Sequence, residues 1–478
     1  MRYLISVNIS NAERNDIIMK KLQNSSLQKN NKLFTVMCVV ILSIVSVSLP
    51  FKAAESNCKN NLQNFEGEIQ LYISPDGNDN AEGSEDSPLA TLEGVKNAVR
   101  RYLSADKKEL PDGITVNFKE GVYKQQQTFC LSEEDSGSAE CPIIYRACEG
   151  AEVIIDGGVK LDTEKFSPAS GDILSRFSED AVSNIKAYNL VSDGVDYSEI
   201  IHRGTHSALL PDCRLYVNNE RAWLGRYPNN QKYESGYKFF SEFNDKDYDG
   251  YTFIDDSGKV KTWSEESIDD ARIYGNFQID WMASSGKILN YEPETERITF
   301  SVDKYDANQN GRYFMYNVPE EIDSPFEYYI DDNGMLYIYL PSGYETADIN
   351  FAQCTGNIIE ADVNYYTFEG LTFENSVDGL FQMNGNNNTV SGCIFRCCGG
   401  NAVCLNGNDV IFDSNDIYSV GKTALYVDGG EITHLIPSDN EITNNRIHDY
   451  AELNRVYSAG IDIKSQSVGI TVSHNEIY

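Results

Sequence analysis

Towards the C-terminal end one alternation of apolar and polar positions is written several times over. "TFEGLTF" begins at Thr367, "TVSGCIF" at Thr389 and "IFDSNDI" at Ile411, each 22 residues after the last. "EITNNRI" from Glu441 and "ITVSHNEI", with Val472 in register, follow at steps of 30. Within each copy two apolar residues such as Phe412 and Ile417 lie an odd number apart. One straight strand would send them to opposite faces, so a bend must lie between them. The column Leu371, Cys393, Asn415, Asn445, Asn475 marks the bend. Asn is expected there in left-handed geometry, with its amide bonded to the next copy.

A further strand recurs in "GLFQMNG", "NAVCLNG" and "TALYVDG", again 22 residues apart, and in "AGIDIKS" 36 residues later. Its third and fifth positions are apolar throughout, which is alternation with one face buried. Three short strands and three turns per copy predict one coil of an all-β, right-handed parallel β-helix of the pectate-lyase-like kind, in which stacked coils share a continuous core. A leucine-rich repeat would need its own leucine signature, and a propeller a longer repeat. The last copy stops at Tyr478 without a polar cap, so the solenoid is expected to be C-terminally truncated.

Upstream, Ser87–Pro88 is expected to open a helix over 89–103 that caps the solenoid. "ITVNFKEGVYKQ" and "CPIIYRACEGAEVIIDGG" read as the first coils. From about Val159 to Phe351 the 22-residue beat disappears. Strands there are antiparallel in flavour, and Asp332-Asn333-Gly334 between aromatic runs signals a hairpin. The expected organisation is a leader over 1–54, a cap with first coils over 55–158, an inserted all-β, sandwich-like domain over 159–351, and coils over 352–478.

The leader changes the compartment. An apolar run, Leu33–Leu49, follows a polar, mildly basic stretch and precedes small residues at Ala53–Ala54. This predicts a secretory signal, with translation starting at Met1 or Met19, and hence an extracellular or cell-surface protein with no membrane contact after removal. The alternative is an uncleaved anchor, for which the run is slightly short. The formal charge is −34. Residues 1–54 hold seven Lys/Arg and two Asp/Glu of the chain's 39 and 73, so the remainder carries 32 basic and 71 acidic residues, net −39. Such a surface excludes nucleic acid and disfavours a strongly anionic polymer unless cations intervene. Oxidising surroundings would let cysteines pair, and Cys130 with Cys141 is the first expectation. Cys393, Cys397, Cys398 and Cys404 match no zinc spacing and are expected as small core residues.

"YISPDGNDNAEGSEDSPLATLEGVKNAV", "LYVNNERAWLGRYPN", "NVPEEIDSPFEYYIDDNGMLYIYLP" and "AGIDIKSQSVGITVSHNEIY" together resemble secreted right-handed β-helix carbohydrate-active proteins. Glycoside hydrolase family 141 is the nearest resemblance, and family 120 a more distant one. The resemblance implies a solenoid interrupted by a β-sandwich, and hydrolysis of glycosides in plant or host polysaccharides by carboxylates on the solenoid.

Read from the residues, positions four and six of the third strand face outward: Gln382, Cys404, Tyr426, Asp462, and Asn384, Asn406, Asp428, Lys464. Turns swell only beside this patch, to "GGEITHLIPSDN" after Asp428 and "HDYAELNRVYSA" before Gly460. Two walls about a polar sheet make a groove for a polymer. Asp428 and Asp462 fall on neighbouring strands offset by two residues, so their Cα atoms should lie about 8 Å apart, within reach of glycosidase acid and base or nucleophile roles. These two are the expected catalysts, with Tyr426, Lys464, Asn406 and Gln382 as substrate-binding residues. Lys464 has a second reading, as an ion-pair partner of Asp428. Glu431, His434, His448 and Glu452 are expected to be solvated in the swollen turns. His202 and His206 have a zinc-like spacing but sit in strand and turn, so no metal or cofactor is expected, although structural or substrate-bridging Ca2+ is compatible. A polysaccharide lyase with Lys464 as base, and a non-catalytic glycan-binding solenoid, are the competing functions.

Overall fold

The computed structural model describes residues 67–478, apart from 105–109, 198–202, 206–207, 211–212, 231–235, 248–249 and 303–305. The leader, His202 and His206 lie outside the described residues. Three parallel sheets run the length of a solenoid. The first has eight strands, from Glu68–Ile73 to Ile470–Ser473. The second has seven, from Gly121–Lys124 to Glu476–Ile477, and the third six, from Phe129–Leu131 to Ile461–Ile463.

The 22-residue beat is the coil. Thr367 pairs with Thr389 and Thr389 with Ile411 on the first sheet. Phe381 pairs with Val403, and Val403 with Leu425, on the third. Phe381, Met383, Val403, Leu405, Leu425 and Val427 are all buried in one continuous core. In the last coil of that sheet Ile461 is half-buried and Ile463 exposed.

The asparagine column is a ladder. The Asn415 amide oxygen accepts from the Cys393 N–H at 2.9 Å, Asn445 from the Asn415 N–H at 2.9 Å, and Asn475 from the Asn445 N–H at 2.9 Å. The left-handed residue, however, is the one before it: Gly370, Gly392, Ser414, Asn444 and His474 have φ of 57° to 67°. That exposed turn position takes the unusual backbone, which leaves the Asn side chain free to point inward.

The helix spans Leu92–Leu103, three residues later than expected. Leu89 pairs instead with the first strand, its N–H donating to Tyr72 and its carbonyl accepting from Ser74. Asp79 accepts from the Ala90 and Thr91 N–H groups at 2.8 and 2.9 Å, and the Thr91 hydroxyl caps the helix. Leu92, Val95, Ala98 and Val99 then enter the solenoid core.

Register shows where the central region enters. Ile143–Ala147 pairs directly with Tyr366–Glu369, Val153–Asp156 with Thr372–Ser376, and Phe129–Leu131 with Ile359–Asp362. The second coil therefore leaves the solenoid after Asp156 and returns at Ile359. Strands between these points pair mostly antiparallel, including the hairpin Glu327–Ile330 with Met335–Tyr339 around Asp332-Asn333-Gly334. They bury aromatic cores of their own, one around Phe253, Phe300 and Tyr313.

Cys130 and Cys141 are free thiols, which corrects the expected bridge. Cys130 points outward between the buried Phe129 and Leu131, while Cys141 is buried below the next coil. Cys141 lies in a bend ahead of Ile143–Ala147 with its side chain in the solenoid core, so the two sulfurs are on opposite sides of the coil wall. Cys393 and Cys398 line the solenoid core, and burial pushes both thiols up to about 12. Cys397 departs from the expected pattern, because it packs outside the core against Tyr216, Ala352 and Val377. Cys404 is half-buried on the outward face.

Candidate functional site

The outward face of the third sheet carries the expected residues in the expected register. Gln382 pairs with Cys404, Cys404 with Tyr426, and Tyr426 with Asp462. Asn384 pairs with Asn406, and Asn406 with Asp428. Asp428 thus stands one strand across and two residues along from Asp462, a Cα separation of about 8 Å from strand spacing and rise.

The two carboxylates differ in their surroundings. Asp428 is held by the Lys464 ammonium at 2.7 Å and the Ser467 hydroxyl at 3.1 Å. Asp462 is half-exposed and makes no hydrogen bond or ion pair with a described residue. Between them, burial raises the Tyr426 phenol above its ordinary value, with Asp428 and Asp462 adding to the shift against Lys464. Lys464 is raised in turn by its hydrogen bond to Asp428. The arrangement offers one positioned carboxylate and one unengaged carboxylate on an open face.

The other expected binders stand further off. Asn406 donates to Asn384 at 2.8 Å, and Asn384 donates to Asp362, so this column is a hydrogen-bonded ladder on the sheet surface. Gln382 lies three strands from Asp462, about 14 Å along the stack.

In the swollen turns, Glu431 and His434 pair with each other in the open, at 2.5 Å. The other two correct the expectation of solvated side chains. His448 is stacked flat between Tyr418 and Tyr478, at 5.1 and 5.2 Å between ring centroids. Coil stacking puts these three rings in one column. Glu452 accepts from the fully buried Arg221 at 2.8 Å. Arg221 belongs to the central region and also donates to the carbonyls of Cys398 at 2.7 Å and Ser419 at 3.2 Å. Sequence reasoning missed this seam, because nothing local to Arg221 announces a partner 231 residues away.

Among the described residues no group of three or more His, Cys, Asp and Glu side chains gathers as a metal shell. No described helix is long and apolar enough to cross a membrane.

Residues 335–478 match the family described as the right handed beta helix region. A stretch of 87 residues is 34% identical to pectate lyase PEL9 of Emericella nidulans and covers 18% of each chain. This chain thus spans under a fifth of that relative's length in the match. A solved structure titled "Glycoside hydrolase" superposes with a TM-score of 0.55 at 14% identity, over 86% of this chain and 88% of that one. With the three parallel sheets, these matches define the fold: a right-handed parallel β-helix.

Proposed function

We propose that the protein is a carbohydrate-active enzyme of the β-helix class that hydrolyses glycosidic bonds in a polysaccharide, using Asp428 and Asp462. The observation that carries the reading is the pairing of these acids on adjacent strands of an outward face, one anchored by Lys464 and Ser467 and one unengaged. One carboxyl group protonates the departing oxygen, and the other attacks the anomeric carbon or activates water. Tyr426 between them offers a ring to a sugar face. The similarity to a pectate lyase and to a glycoside hydrolase structure supports carbohydrate as the substrate class, and the motif resemblance to glycoside hydrolase family 141 supports hydrolysis. The apolar run Leu33–Leu49 supports action outside the cell.

The pectate lyase similarity also favours a second reading, elimination with Lys464 as base. Its ion pair with Asp428 weighs against this, because it strengthens the ammonium's hold on its proton, whereas a general base works best with a pKa near the working pH. Digestion of a polysaccharide panel separates the two. Hydrolysis yields reducing ends alone, and elimination adds the ultraviolet absorbance of an unsaturated product. Asp428→Asn and Asp462→Asn are each expected to lower the rate by about a hundredfold or more. Full rates in both variants would remove these residues from the mechanism.

A further inference from the structure

A cleft of about 280 Å³ opens in the central region and shares no lining residue with the groove on the solenoid. Segments within 163–168, 183–186 and 340–345 form its walls. Ser167–Pro168 pairs antiparallel with Lys186 and Ala187. Across from it, the Leu340 N–H donates to the Asn184 carbonyl at 3.0 Å, and the Tyr344 N–H to the Pro341 carbonyl at 3.3 Å. The Asn184 side-chain amide donates to the Tyr339 hydroxyl at 3.0 Å. Hydrogen bonds of the protein therefore set the walls before anything binds.

The lining mixes rings, hydroxyls and two opposite charges. Phe166 and Tyr344 are both half-buried. Each is anchored by a second ring, Tyr188 at 4.7 Å and Phe326 at 4.9 Å between centroids. The Thr163, Ser183 and Ser342 hydroxyls bond to no described residue. The Glu345 carboxylate accepts from the Gly343 N–H at 3.0 Å. Its own N–H and that of Gly343 hold it below the ordinary carboxylate value, and the nearby Lys186 ammonium adds to this. Even so, Lys186 and Glu345 stop short of an ion pair, and Lys186 has no hydrogen-bond partner among the described residues.

This inventory selects a ligand class. A carboxylate or an ammonium ligand would gain at one of the two charges and lose at the other. A wholly apolar ligand would strip water from the hydroxyls and charges and return no hydrogen bond. A neutral sugar meets every part, because its hydroxyls both donate and accept and its C–H face packs on a ring. The volume lies near the lower end of small-ligand sites, roughly 300–1,000 Å³, which suits a short stretch of glycan. Glu345 is the one carboxylate in the lining, whereas cleavage of a glycosidic bond takes two.

We propose that this cleft is a second, non-catalytic glycan site that holds neutral sugar units. Lys186 donates to one sugar hydroxyl, Glu345 accepts from another, and Phe166 and Tyr344 take the apolar faces. The choice of a sugar over another neutral polyol rests on the polysaccharide reading above.

Calorimetry on the full-length Asp428→Asn/Asp462→Asn double variant tests it, with xylotetraose, cellotetraose and mannotetraose beside tetragalacturonate. At least one neutral tetrasaccharide is expected to bind. Adding Ser342→Trp, an exposed change that fills the cleft, is expected to abolish that binding at an unchanged melting temperature. Lys186→Ala, which leaves the cleft open, is expected to weaken it about tenfold. The proposal is overturned if no neutral probe binds, if binding survives both changes, or if the binding lost on Ser342→Trp is tighter for tetragalacturonate than for every neutral probe. Cleavage keeps the two readings apart. Full cleavage by the double variant would reject the catalytic pair, while loss of binding on Ser342→Trp would still establish the cleft as a site.

Discussion

Asn445 shows how much a single side chain does inside a solenoid. Its amide oxygen accepts from the Asn415 N–H and from the Asn415 amide at 3.0 Å, and its own amide donates to the Phe412 carbonyl at 3.0 Å and to Asn475 at 2.9 Å. All four bonds lie at a bend, beside backbone bonds such as Arg446 N–H to the Asn415 carbonyl at 2.9 Å. Asn445→Ala would strand the Asn415 donors and the Phe412 carbonyl in a dry interior. The expected cost is about 3 kcal/mol or more, read as a lowered urea midpoint at unchanged slope. This column was visible in the sequence, because Asn recurs at a fixed step. A second column is harder to see in the sequence. Asn388 accepts from the Tyr366 N–H, and Asn440 from the Val410 N–H, both at 2.9 Å. Its signal is fainter, since Val410 interrupts the asparagines at the intermediate coil.

At the level of strands and turns, legibility followed periodicity. Burial of one face forces alternation, alternation repeats with the coil, and so the offset of Asp428 from Asp462 could be counted before any coordinates. The pairing of Ile143–Ala147 with Tyr366–Glu369 could not be counted, because the step between them obeys no period. The seam was equally hidden. Arg221 sits on a two-residue strand and ties Cys213, Cys398, Ser419 and Glu452 together, with its guanidinium 4.9 Å over the Tyr216 ring. Removing one member of a buried ionic cluster leaves the rest uncompensated, typically at about 3–5 kcal/mol. Arg221→Ala is therefore expected to destabilise the protein by that amount. Hydrogen exchange should quicken in 213–221 and 419–454 before it does in the coils around Phe129 and Tyr145. Uniform quickening along the solenoid would show that the seam is not a separable unit.

For the molecule as a whole, the central region is the feature that most changes the solenoid's surface while leaving its register alone. Gly158 and Ala352 pair across adjacent antiparallel strands, so the region leaves and returns at nearly one point. The cost of closing a loop grows only slowly with its length, which is why some two hundred residues can hang from a single coil without shifting the coils on either side. The same geometry makes the region removable. Joining Gly158 to Ala352 through a short glycine turn should preserve the pairings of Phe129–Leu131, Ile143–Ala147 and Val153–Asp156 with their partners in the next coil. It would uncover Val377 and Cys397, now packed beneath Tyr216, and leave Glu452 without Arg221. The shortened protein is thus expected to keep a parallel-β circular dichroism spectrum and a cooperative transition, at a lower temperature than the full chain. Asp428 and Asp462 stay on the solenoid, so the proposed cleavage is expected to survive the deletion. A shortened chain that fails to fold would mean that the coils depend on the seam for their stability; one that folds but no longer cleaves would place part of the catalytic machinery on the central region.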